Sequence, residues 1–250
     1  MKDSAYLIEE YKCDYTDAEN SLWKKIFKKQ YDYIKKYACK DYLEGFENLN
    51  LSSSSIPNIS DINTSLKENF NWELIPVTGI LPDKLFFEFV SNRKFPITLS
   101  IRGADEIEFS KLPDIFHDLF GHTPMLMNKP FGDFTQKFGE AALKYFDNKP
   151  FLLRLGRLYW FTLETGLIFE NGRYKLYGGA LMTSSKEIKN VYNSESTIHN
   201  YDIYDIFKND YNNLKIQKEY YVIDNFNSLL NSIDMIDQSL MLLDNNQLLR

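Results

Sequence analysis

Cysteine is nearly absent: the 250 residues contain two, Cys13 and Cys39. Two thiols are too few for a disulfide scaffold or a thiolate metal cluster, and such usage fits a reducing cytoplasm. Basic residues are not in excess. There are 29 against 35 acidic ones, a formal net charge of −6, so no global electrostatic case exists for binding nucleic acid. No apolar run approaches the length of a membrane span. The first ten residues carry no apolar core of the size a signal peptide needs. Internal repeats and extended low-complexity tracts are missing as well. Histidine occurs three times, at His117, His122 and His199, and two of these fall in one short segment.

What is present reads as globular. Hydrophobic residues make up 44% and aromatics 16%, with 17 Tyr and 19 Phe, enough for a sizeable core and for a pocket that accepts planar ligands. Thr16-Asp-Ala-Glu19 has the form of a capping box, and Leu22, Trp23, Ile26, Phe27, Ile34 and Ala38 follow at helical spacing. Further helices are expected over Asp41 to Leu49, around Ile62 to Asn69, from Pro82-Asp83 through Val90, over Phe131 to Tyr145, over Phe151 to Phe169, and over Phe226 to Leu243. Leu51 to Pro57 is a loop. Trp72 to Val77, Phe95 to Ile101, Tyr174 to Leu181, Ile216 to Tyr220 and Tyr221 to Ile223 are short and β-rich. The expected fold class is α+β, predominantly α-helical, in one domain spanning residues 1–250.

The segment Pro113-Asp-Ile-Phe-His-Asp-Leu-Phe-Gly-His-Thr-Pro124 carries the chemistry. Neutral imidazole is the commonest metal ligand, and two imidazoles with one carboxylate form the facial set that holds Fe(II) and leaves positions open for oxygen. The same three groups could hold zinc and activate water. The spacing sets a structural condition. Five residues along a regular helix turn through about 500°, so His117 and His122 share no face. The helix has to distort or end near Gly121 for both to reach one ion. His199 lacks such a context and is read as structural or exposed.

With Tyr159-Trp-Phe-Thr-Leu-Glu164 downstream, the chain resembles the pterin-dependent aromatic amino acid hydroxylases, and the short bacterial phenylalanine 4-monooxygenases among them. Pro76-Val-Thr-Gly-Ile-Leu-Pro82, Phe86-Phe-Glu-Phe, Phe95-Pro-Ile-Thr, Tyr177-Gly and Tyr221-Val-Ile-Asp carry the likeness too, which covers roughly Tyr11 to Leu230. The resemblance implies a single catalytic domain of that family's fold, with neither a regulatory domain nor a long tetramerisation tail, and hence a monomer. It implies Fe(II) on His117, His122 and Glu164, a tetrahydrobiopterin or related tetrahydropterin, and O2 as co-substrate. The pterin would lie against Gly79, Leu81, Phe86, Asp118 and Tyr159. The amino acid would be gripped at its carboxylate by Arg102, helped by Ser110, Thr183 and Ser184. Pro113, His117 and Trp160 would wall its ring, Asp114 would belong to the substrate site, and Thr165 would face the substrate.

Three departures from the family's runs stand out. Leu112-Pro113-Asp114 replaces Glu-Pro-Asp and deletes a charge. Thr165 stands where a Phe usually follows the glutamate. Tyr177-Gly-Gly-Ala180 replaces Tyr-Gly-Ala-Gly and alters a close-packed turn. The expected reaction is L-phenylalanine to L-tyrosine, with another aromatic amino acid or ring position as the alternative. A zinc hydrolase and a non-catalytic binding protein are the readings from other classes.

Overall fold

The computed structural model describes residues 6–8, 11, 14–193 and 195–241. Helix α1 (Asp17–Tyr37) opens on the capping box read from the sequence. The Thr16 side chain accepts from the Glu19 amide, and the Glu19 carboxylate accepts from the Thr16 amide. Its Trp23, Ile26, Phe27 and Ile34 are buried. Helices α2 (Lys40–Asn48) and α3 (Ile59–Phe70) follow, the latter capped by Asn58 after the serine loop.

Strand β1 (Glu73–Val77) pairs in parallel with β2 (Lys94–Thr98), and α4 (Asp83–Ser91) makes the crossover between them. Parallel pairing needs such a crossover, which explains why a helix interrupts the β-rich text. After the histidine segment come α5 (Lys129–Lys144) and α6 (Lys149–Tyr159), each with an asparagine cap and a proline in its first turn. Strands β3 (Leu167–Glu170) and β4 (Arg173–Leu176) form an antiparallel hairpin. Short helices α7 (Gly179–Met182) and α8 (Ser185–Val191) precede β5 (Thr197–Asn200), α9 (Ile203–Ile206), β6 (Glu219–Ile223) and α10 (Phe226–Ile233). The second sheet has the order β4-β3-β6-β5. One large core of buried apolar side chains runs from Trp23 to Leu240 and underlies both sheets. Among the described residues, no helix is long and apolar enough to cross a membrane.

The mostly helical α+β class agrees with the sequence reading, but several boundaries do not. The helix expected over Phe151 to Phe169 stops at Glu164, and Leu167 to Glu170 is strand β3. Asn171 and Gly172 form the hairpin turn with φ of 50° and 76°. Such an Asn-Gly step between β-rich runs is the hairpin signal that helical periodicity overrode. The extended piece expected over Tyr174 to Leu181 ends at Leu176, because Gly179–Met182 is a helical turn. Strand β5, carrying His199, was not read at all. His199 is partly exposed, stacks on Tyr221 with centroids 5.3 Å apart, and its Nε2 lies 3.7 Å from Glu219. The last expected helix is broken at residues 234 and 235, and its final residues, 242 and 243, lie outside the described ones.

Candidate active site

The two histidines reach one point because the helix between them widens. His117–His122 is a π-helix, entered from a regular turn at residues 115–116 and left through a 3-10 turn, Thr123–Met127. A π-helix bonds residues five apart, so positions i and i+5 come onto one face. The Thr123 amide donates to the Asp118 carbonyl, five residues back, and the Thr123 hydroxyl donates to the same oxygen at 2.9 Å. Glu164 sits on a second π-helix, Trp160–Glu164, which prolongs α6. There the Thr165 amide donates to the Trp160 carbonyl at 2.9 Å and its hydroxyl does so at 2.8 Å. Both ligand-bearing segments thus end on a threonine that closes the wide turn twice.

The Nε2 atoms of His117 and His122 lie 2.9 Å apart. Glu164 Oε1 is 3.3 Å from His122 Nε2, and Oε2 is 3.6 Å from His117 Nε2. Ligands about 2.1 Å from one ion stand about 3.0 Å apart at right angles and about 3.4 Å apart at the tetrahedral angle, so these spacings suit a single cation. Two further observations agree with that fit. Buried Glu164 Oε2 has no hydrogen-bond partner among the described residues, which is costly unless something else satisfies it. The Thr183 hydroxyl donates to the Gly179 carbonyl at 3.0 Å and lies 3.2 Å from His117 Nδ1. Its lone pair can accept Nδ1–H, which leaves His117 Nε2 bare to face the ion.

Electrostatics keep Glu164 ionised and make the point between the three groups attractive to positive charge. Burial would push the Glu164 carboxyl up, but His122 and His117 hold it well below the usual carboxylate range. Burial lowers His117, and the Glu164, Asp118 and Asp114 carboxylates outweigh it and raise the imidazole on balance. Such an excess of negative charge around two nitrogens favours a bound cation.

The triad lines a cleft of about 860 Å³. Of the residues expected around a pterin, Gly79, Leu81, Phe86, Asp118 and Tyr159 all line it. Gly79 has φ of 67° and open space where a side chain would start, so this turn presents bare backbone. Phe86 stands edge-on to Tyr159, centroids 5.8 Å apart. Asp118 Oδ2 accepts the Thr98 amide at 2.7 Å, tying β2 to the histidine helix, and burial raises its carboxyl to about 6. Burial, with the Glu164 and Asp118 charges, raises the Tyr159 phenol, so it stays a donor.

The substrate set is rearranged. Pro113 lines the cleft beside His117. Arg102, with a side chain 1% exposed, does not line it. Its Nη2 and Nε donate to the two oxygens of Asp114 at 2.7 and 3.0 Å, and Nη1 donates to the Thr183 carbonyl at 3.2 Å. Asp114 also accepts the amides of Arg102 and His117. Arg102 is thus held by a carboxylate of its own chain, and the same carboxylate fixes the start of the histidine helix. Ser110 donates to the Leu112 carbonyl, and Ser184 caps α8 while donating to the Glu108 carbonyl. Thr165 is fully buried, its hydroxyl spent on the π-turn, and does not face the cleft.

Trp160 stands behind the wall rather than in it. It stacks on Tyr211, centroids 5.0 Å apart and planes 11° from parallel, and donates to Gln217 at 3.1 Å. Tyr211, like Phe95 and Phe138, lines the cleft but was missed by the sequence reading. An aromatic in a core and one in a pocket wall look alike in sequence.

Gln217 is anchored in turn by its amide to Glu187, 3.1 Å away, while Tyr220 donates to the other oxygen of that carboxyl at 2.5 Å. Burial raises Glu187 from 4.5 to about 7, against these two hydrogen bonds. The folded chain thus binds more protons here than the unfolded one between those two pH values. Stability is expected to fall as pH rises across that window and to level off above it, by on the order of 3 kcal/mol at most. Glu187→Gln should flatten this slope and gain most at pH 8. Urea unfolding at several pH values checks this, and equal slopes in both proteins would refute it.

Comparison with known proteins agrees with the geometry. The sequence profile described as biopterin-dependent aromatic amino acid hydroxylase matches residues 8–242. A phenylalanine-4-hydroxylase of Ralstonia nicotianae is 34% identical over 221 residues, covering 87% of this chain and 70% of that one. A tyrosine 3-monooxygenase of Schistosoma mansoni is 33% identical over 220 residues, 86% of this chain and 47% of that one. The crystal structure of Chromobacterium violaceum phenylalanine hydroxylase with bound iron(III) and oxidised cofactor 7,8-dihydrobiopterin superposes with a TM-score of 0.90 at 31% identity, covering 96% of this chain and 87% of that one. A profile match over nearly the whole chain, a shared fold and a converging two-histidine, one-carboxylate centre place this protein in the biopterin-dependent aromatic amino acid hydroxylase family.

Proposed function

We propose that this chain is an iron- and tetrahydropterin-dependent monooxygenase that hydroxylates the ring of L-phenylalanine to give L-tyrosine. The observation that carries the reading is the convergence of His117, His122 and Glu164 at an aromatic cleft, in a chain of this family. Fe(II) and a tetrahydropterin, when bound, supply the activation of O2. The chain's own residues do the rest. Two imidazoles and one carboxylate hold the metal and leave about three positions free. Phe86 offers a face to the pterin ring, Gly79 and Leu81 offer backbone groups to its edge, and Tyr159 and Asp118 flank it. Pro113 and the cleft's aromatic side chains exclude water from the reacting ring. The zinc hydrolase reading finds no support in the relatives. The reading takes the chain as one catalytic domain, a monomer in the cytoplasm, acting on a small molecule and not on nucleic acid.

The Schistosoma relative is named a tyrosine 3-monooxygenase at nearly the same identity, so the test offers a choice. Phenylalanine, tyrosine and tryptophan are supplied together to the Fe(II) protein with a tetrahydropterin, and products are identified by NMR. Tyrosine should dominate; 3,4-dihydroxyphenylalanine from tyrosine as the main product would reassign the substrate. Phe86→Ala should raise the pterin requirement roughly fivefold and change phenylalanine affinity less, since a lost ring contact is worth about 1 kcal/mol. An unchanged pterin KM in a less stable variant would make Phe86 a packing residue.

A further inference from the structure

We propose that Gln217 is the positioning residue that holds Tyr211 in place as a wall of the cleft on the pterin's side. This rests on the pterin reading above. Between α9 and β6 the chain runs through residues 207–218 without helix or strand. Asp210, Tyr211 and Asn213 of this stretch nevertheless line the cleft. A loop that carries binding residues has no backbone ladder of its own and has to be fixed by side chains.

Two sets of ties fix it. At its start Arg157 on α6 donates to the Phe207 carbonyl and pairs with Asp210. The Asp210 side chain is 88% exposed, and such a pair is screened by salt and contributes little. At its end stands Gln217, which is buried. Its carboxamide nitrogen donates to the carbonyls of Asn212 at 2.7 Å and Lys215 at 2.5 Å, and its carboxamide oxygen accepts the Trp160 indole N–H at 3.1 Å. One side chain thus joins the residue next to Tyr211 to the first residue of the π-helix that ends on Glu164. Its main chain is held from α8. The Gln217 amide donates to Glu187, and its carbonyl accepts from Asn190 at 2.6 Å. The carboxamide is therefore anchored from outside the loop it ties.

Tyr211 depends on this anchor. Its ring lies flat on Trp160 and edge-on to Phe161, the latter with centroids 6.3 Å apart. Its hydroxyl lies 3.6 Å from where a Cβ on Gly156 would stand, so the ring reaches back to α6. Burial, joined by the Glu164 and Asp83 charges, pushes its phenol up. Asp83 follows the turn of Gly79 and Leu81. The ring therefore stands between the Glu164 ligand and the turn where the pterin's edge is expected. A leucine at position 217 could make none of the carboxamide's bonds. The Trp160 indole and the two loop carbonyls would lose their partners, and the ring stacked on Trp160 would lose its fixed place.

The test is calorimetric titration of 7,8-dihydrobiopterin into the anaerobic Fe(II) protein, as wild type, Gln217→Leu, Tyr211→Ala and the double variant. Gln217→Leu should bind about fivefold more weakly, the scale of one aromatic contact, with Fe(II) affinity unchanged. The double variant should bind no more weakly than Tyr211→Ala alone, because Gln217 acts through that ring. A role in stability alone would not tie the two losses together. Trp160→Phe keeps a ring behind Tyr211 but drops the N–H, and it should show the same shortfall; it decides the question if Gln217→Leu does not fold. Wild-type affinity for dihydrobiopterin in the folded variant, or losses that add in full in the double variant, would overturn the proposal. Failure of the wild type to bind dihydrobiopterin would instead overturn the pterin reading.

Discussion

Replacing His122 with alanine is expected to abolish stoichiometric Fe(II) binding while the chain still folds. The imidazole is buried, and its Nε2 faces both His117 and Glu164 at 2.9 and 3.3 Å. Without it, one nitrogen and one carboxylate remain, too few to hold a divalent ion against water in an open cleft. The fold should persist because the π-turn is closed by Thr123 and the backbone, not by the imidazole. Glu164→Ala should behave differently, keeping weak metal on two imidazoles but losing turnover. Iron is measured after anaerobic reconstitution and desalting. One equivalent retained by a folded His122→Ala protein would refute the ligand set.

Asp114→Ala should cost about 3–5 kcal/mol, the usual penalty for stripping one partner from a buried ion pair. Its side chain is 4% exposed and accepts four hydrogen bonds, from the amide, Nε and Nη2 of Arg102 and from the His117 amide. The mutation leaves the Arg102 guanidinium charged in the interior and frees the first residue of the histidine helix. Iron affinity should fall together with stability. Arg102→Ala should be similarly severe, and the double variant clearly less severe than the sum of the two. Urea unfolding of the three proteins measures this. A loss under about 1 kcal/mol, the level of an exposed pair, would mean the pair is not buried in solution.

The three converging side chains stand out in the sequence because their chemistry is rare: two of three histidines in six residues, and a glutamate in a distinctive aromatic run. The demand that the helix distort near Gly121 followed from the pitch alone, and the structure answers it with a π-helix. Which distortion was not legible, since widening depends on a threonine satisfying a carbonyl five residues back, and Thr123 and Thr165 look like ordinary polar residues in sequence. The same blindness misplaced Thr165 in the substrate wall. The pairing of Arg102 with Asp114, twelve positions on, was not legible, because nothing local shows that the chain folds back to join them. The overrun of α6 into β3 arose because Leu167, Ile168 and Phe169 continue an apolar pattern, while the opposing signal, Asn171-Gly172, lies beyond it. Tertiary contacts settle such cases.

The most direct measurement is the fate of oxygen. The Fe(II) protein is given a tetrahydropterin, phenylalanine and ¹⁸O2, with O2 uptake, pterin oxidation and product followed together. The expected result is tyrosine carrying one labelled oxygen atom at the 4-position, one pterin oxidised per tyrosine, and no product when either iron or pterin is withheld. Unlabelled product, or turnover without the pterin, would contradict assignment of this chain as a pterin-dependent iron monooxygenase.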